Sequence, residues 1–348
     1  MERWIRSAGW LVCMAVAPWP AMSANGERPA PVVAIKPHRI ILLDIDKTGD
    51  RLVAVGERGF LLYSDDEGDT WTARPTPVTR TLTGVAFKDQ QTGVAVGHGG
   101  SVVRTEDGGA TWSQVQVEEA GTDSLLDVQH LVGDHFIAYG AFGLYLDSTD
   151  AGRSWTRRTI LGSASTDDTG NEAEYIDEGF DRHISRVIQV DSTLLLVAES
   201  GTLARSDDGG ENWTRLESPY EGSWFNALEI DDGSVLVFGM RGNVFRTADL
   251  GATWEKVPLG TTASLMGGAQ LADGRILLVG NTGLLALSTD RGRTLQLHWS
   301  PAAKGFAQVV EADGRLLAVG EGGVSVIDPA WLRAEGDSPP SGTVPRGD

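Results

Sequence analysis

A chain of 348 residues with 48 acidic and 29 basic side chains carries a net charge of −19, which argues against nucleic acid and anionic membrane surfaces as partners. Its only cysteine, Cys13, leaves no room for a disulfide framework or a cysteine metal site.

The first 24 residues have the grammar of a secretory signal peptide. Arg3 and Arg6 precede an apolar run at 8–17, and the small residues Ala21, Ser23 and Ala24 follow. The run is too short for a membrane span, and Pro18 and Pro20 break it. Cys13 lies within this leader, so the exported chain is expected to have no thiol and a net charge of −20 (−19 less the leader's +1). A periplasmic location follows as an expectation. Without disulfides such a fold depends on its core, and about 320 residues suffice to build one.

Beyond the leader, an apolar strand ending in a Gly-x-x-Gly-like turn recurs seven times. The turns begin at Gly56, Gly97, Gly140, Ala198, Gly239, Gly280 and Gly320. Runs of β-favouring residues split by short glycine turns predict hairpins. Upstream of each hairpin lies a further apolar strand, at 40–46, 82–87, 125–131, 184–190, 224–230, 265–271 and 306–312.

Downstream of six hairpins stands the pattern Ser/Thr-x-Asp-x-Gly-x-Thr/Ser/Asn-Trp, with Leu295 replacing Trp in the sixth copy. Its aspartates are Asp66, Asp107, Asp150, Asp208, Asp249 and Asp290, at steps of 41, 43, 58, 41 and 41 residues. The Asp accepts hydrogen bonds from turn amides, the Gly supplies a positive φ, and the Trp packs between neighbouring units. The pattern lacks the alternating oxygen ligands and closing Glu of a calcium loop, so these aspartates are read as structural. Four antiparallel strands per unit of about 41 residues, seven times over, predict an all-β seven-bladed propeller.

The seventh repeat ends at Ile327 and Asp328 without a fourth strand. The segment 31–36 (PVVAIK) is expected to supply it and so close the ring. Residues 25–333 thus form the propeller, and 334–348 a disordered tail. The longer third step carries about 17 extra residues within 161–183, read as a surface loop.

These motifs resemble the Asp-box, or BNR, repeat over essentially the whole exported chain. The combination of glycine hairpin, box and 41-residue period after a signal peptide is most similar to the photosystem II assembly/stability factor family and its homologues in non-photosynthetic bacteria. That resemblance implies a non-enzymatic scaffold or accessory factor, without cofactors, that binds a membrane protein or complex on its periplasmic or lumenal side. The chain is expected to act as a monomer.

The alternative is a glycoside hydrolase of sialidase type, which needs converging carboxylates or an arginine triad with a Tyr nucleophile. Arg58, Arg80, Arg182, Arg186 and Arg241, with Tyr175 or Tyr220, are its candidates. Six histidines scattered through different repeats show no ligand spacing, so neither catalytic nor metal residues are assigned. Where the repeats differ, on the face of the glycine turns, Arg58, Arg80, His98, Phe142, Arg182, His183, Trp224 and Arg241 are the candidate protein-binding residues. They combine apolar anchors with arginines, as interface hot spots do.

Overall fold

The computed structural model describes residues 36, 39–160 and 180–332. The leader, the tail, all of 31–36 except Lys36, and most of the 161–183 insertion lie outside these residues. Seven antiparallel sheets are present, each made of strands consecutive in the chain. Six have four strands, spanning 42–75, 82–115, 125–157, 184–215, 224–256 and 265–299. The seventh, 306–327, has three among the described residues. These are the blades of a propeller.

The innermost strands are Leu42–Thr48, Leu82–Phe87, Leu125–His130, Ile184–Val190, Trp224–Glu229, Leu265–Gln270 and Phe306–Ala312. The second strand of each blade is apolar at successive positions because both of its faces are covered by neighbouring blades. In blade one Leu52, Val53, Ala54 and Val55 are all fully buried. Seven apolar clusters result, one in each seam between blades. The cluster joining Leu317 and Val319 to Leu42, Leu52 and Leu62 brings blade seven against blade one.

Each box is the turn between third and fourth strands. Asp66 accepts hydrogen bonds from the Thr70 amide (2.8 Å), the Thr70 hydroxyl and the Ser64 hydroxyl (2.7 Å). The other five box aspartates repeat this set. The Thr70 donors hold the Asp66 carboxyl down at about 2, and the Asn212 donors do the same for Asp208. The box Trp then enters the seam with the preceding blade. Trp155 packs with Val94 and Val96, and Trp213 with Ile137 and Tyr139.

The boxes also latch blades together in a way that the sequence did not suggest. The residue after the box Asp is left-handed, as in Ala151 (φ 60°) and Arg291 (φ 60°), and in four of the six boxes its carbonyl accepts from an arginine of the preceding blade. Arg51 reaches Gly108, Arg104 reaches Ala151, Arg246 reaches Arg291, and Arg315 reaches Glu67 across the join between blades seven and one. Blade seven has no box, and Trp331 and Leu332 of the short turn Pro329–Leu332 pack into its seam with blade six.

Candidate functional site

Strand direction puts the boxes and the glycine turns at opposite ends of the blades. On the turn face, the amide after each turn's first residue bonds to the carbonyl just before that blade's inner strand. Glu57 bonds to Ile41, His98 to Thr81, Ala141 to Ser124, Glu199 to His183, Met240 to Ser223, Asn281 to Ser264 and Glu321 to Gly305, at 2.8–3.2 Å. Gly143 shows why the turns close on glycine. Its φ is +66°, and a Cβ there would stand 1.8 Å from the Phe180 carbonyl oxygen. Seven similar turns therefore form a rigid platform whose variable residues project outward.

The third turn position is left-handed in six blades. It is Arg58 (φ 63°), Gly99 (67°), Phe142 (53°), Ser200 (53°), Arg241 (56°) and Thr282 (58°). Arg58, Phe142 and Arg241 are exposed there, and Phe142 retains 59% of its accessible surface. Arg80 lies across the blade-two turn, where a Cβ on Gly99 would meet its side chain at 2.8 Å. His98, in the same turn, is exposed.

A second group forms around blades three and four. The Phe142 ring meets the His183 ring edge-on at 5.0 Å, and His183 Nδ1 lies 3.4 Å from a Glu199 carboxylate oxygen. Arg182 donates to the Ser200 hydroxyl at 3.4 Å and lies 3.7 Å from Asp181. Arg58, Arg80 and Arg241 form no ion pair among the described residues.

Trp224 is not part of this surface. It is wholly buried, packed on Tyr220 (5.4 Å) and Phe245 (5.8 Å) between blades four and five. The reason is its strand phase, since it opens the inner strand at the position that Leu42, Leu82 and Leu125 fill in other blades. Ile41, in contrast, is 43% exposed beside Glu57, an apolar contributor that the run IILLDID conceals.

The glycosidase candidates fare poorly. Arg186 points into the central channel, where it is paired with Asp127, and Tyr220 packs on Trp224. Tyr175 lies outside the described residues. Both oxygens of every box carboxylate are taken by turn donors, and among the described residues no cluster of three or more His, Cys, Asp or Glu is arranged to hold a metal.

Comparison with known proteins follows the same lines. Residues 71–163 match the family described as "Photosynthesis system II assembly factor YCF48". A structure of YCF48 bound to D1 peptide is 19% identical, with a TM-score of 0.65 over 86% of this chain and 98% of that one. YCF48 from Cyanidioschyzon merolae gives 17% and 0.66 over 85% and 98%. The WD40 propeller domain of Doa1 gives 11% and 0.63 over 84% and 94%, so the architecture is shared well beyond one family. No curated protein matches in sequence. The chain is thus an Asp-box propeller of YCF48 architecture, and its residues 71–163 carry the sequence signature of the YCF48 photosystem II assembly factor family.

Proposed function

We propose that this chain is an exported, non-enzymatic propeller that holds a segment of a membrane-associated protein complex against its turn face, as an assembly or accessory factor does. One observation carries the reading: Arg58, Phe142 and Arg241 hold exposed side chains on left-handed backbone. For a residue with a Cβ that conformation costs about 1–2 kcal/mol. Gly99 occupies the equivalent place in blade two without this cost. Left-handed residues such as Ala151 and Arg291 occur on the box face as well, but there their carbonyls latch a neighbouring blade. The turn-face tips make no such latch, and their strain points to side chains retained for contact.

The relative YCF48 binds a D1 peptide, and the partner here is read as a protein segment of the same general kind. Acting as a monomer on the periplasmic side of a membrane, the propeller would offer its partner Arg58, Arg80, His98 and Arg241 for polar contacts. Ile41 and Phe142, with Arg182 and His183 beside the latter, would offer apolar contact.

Ring closure by 31–36 belongs to the same reading. In five junctions the outer strand ends 7–10 residues before the next inner strand, as Pro75 does before Leu82 and Trp299 before Phe306. Residues 32–35 fall in that window before Leu42. Val326, 47% exposed on the last described strand of blade seven, marks the edge they would cover.

The test is charge reversal at two tips. The Arg58→Glu, Arg241→Glu double variant should lose at least about tenfold in co-purification with its membrane partner, while its unfolding midpoint stays near wild type. Undiminished recovery of the same partner would overturn the proposal.

A further inference from the structure

The inner strands present unpaired edges to the central channel, and each edge amide there needs an acceptor. Between blades one and two that acceptor is a carboxylate. Asp44 accepts from the Val85 amide at 2.9 Å, and Asp46 accepts from the Phe87 amide at 2.8 Å. Both side chains are surrounded by protein yet keep some access to water along the channel. Between blades six and seven a neutral group serves the same purpose at this level, where Gln308 accepts from the Gly268 amide.

The charges around Asp44 and Asp46 do not balance. From blade three comes Asp127, which accepts from the Tyr139 hydroxyl (2.9 Å) and the Val128 amide (2.7 Å). From blade four comes Arg186, whose guanidinium donates to Asp127. The facing strand of blade two offers only backbone amides at this level. Blade seven contributes neutral Gln308, while its Glu311 accepts from the Ala272 amide in blade six. Three carboxylates therefore share one guanidinium, already engaged by Asp127.

We propose that the seam between blades one and two is a pH-sensitive element, in which protonation of the Asp44 and Asp46 pair relieves uncompensated negative charge and firms the ring. Burial foremost, with Asp127 second, pushes the Asp44 carboxyl up to about 7. Burial alone among the larger causes raises Asp46 to about 6, against the pull of the Phe87 amide. The folded-state values exceed the ordinary carboxylate value. This contribution to stability is therefore complete below about 4 and is lost as pH rises through 6–7. The box aspartates act in reverse, since their lowered values remove stability as pH falls from about 4 towards 2. Stability should therefore be greatest near pH 4.

Urea unfolding at pH 8 and pH 5 tests the proposal, alongside carboxyl ¹³C NMR of Asp44. The unfolding equilibrium constant of the intact protein should fall by roughly ten- to a hundredfold from pH 8 to pH 5. Asp44→Asn should be more stable than wild type at pH 8 and should lose most of that pH response. The response left in this variant includes that of Asp46, which is still raised to about 6. The Asp44 carboxyl resonance should titrate between pH 6 and 8, a readout that needs no variant. A midpoint below 5, or an Asp44→Asn protein with the full wild-type response, would overturn the proposal.

Discussion

Replacing Arg58 and Arg241 by glycine is expected to weaken partner binding by about ten- to a hundredfold without loss of stability. Each arginine holds a left-handed conformation that glycine adopts freely, at positions equivalent to Gly99. Relief of strain is partly offset by the greater freedom of glycine in the unfolded chain, so the net gain is at most about 1 kcal/mol. Neither arginine is buried or ion-paired among the described residues, so little folded-state contact is removed. Thermal unfolding and binding measured on one preparation separate the two effects. A protein that is destabilised and still binds would mean that the tips serve the fold.

The other large effect lies on the opposite face. Arg246 is 7% exposed and donates to the Asp232 carboxylate (2.9 Å), the Ser234 hydroxyl (2.7 Å) and the Arg291 carbonyl of blade six (3.1 Å). Arg246→Met leaves Asp232 without its cation, and the Ser234 hydroxyl and the box carbonyl without their donor. A loss of about 2–3 kcal/mol is expected in urea unfolding, because the variant removes buried charge-assisted hydrogen bonds to Ser234 and the Arg291 carbonyl. Arg51 makes the corresponding latch between blades one and two from a more exposed position, with Asp65 as its ion pair. Arg51→Met should cost only about 1 kcal/mol. Equal losses at the two sites would mean that burial does not govern these latches.

Blade number, hairpins and box geometry were legible in the sequence because each recurs at a fixed step and has a local cause. The latching arginines were not. No motif marks Arg51, Arg104, Arg246 and Arg315, because their acceptors are carbonyls contributed by another repeat. Trp331 was hidden for a similar reason, since it fills a seam that a box Trp fills elsewhere but comes from outside the repeat. Trp224 was misplaced for the opposite reason. Aligning the seven inner strands puts it in register with Leu42, Leu82, Leu125, Ile184, Leu265 and Phe306, all buried. Of the turn-face candidates, the repeat comparison located the positions. It could not show which of them carry backbone strain, because Arg, Gly, Phe, Ser and Thr all occupy the left-handed place.

The central claim is that binding belongs to the turn face and that the box face is structural. The most direct measurement places a photo-crosslinking residue at position 142 or 241 on the turn face, and at position 273 or 313 among the hairpin tips of the box face. Crosslinks to a membrane-protein partner from 142 and 241, and none from 273 and 313, are the predicted result. Crosslinks confined to 273 and 313, or equal from both faces, would contradict it.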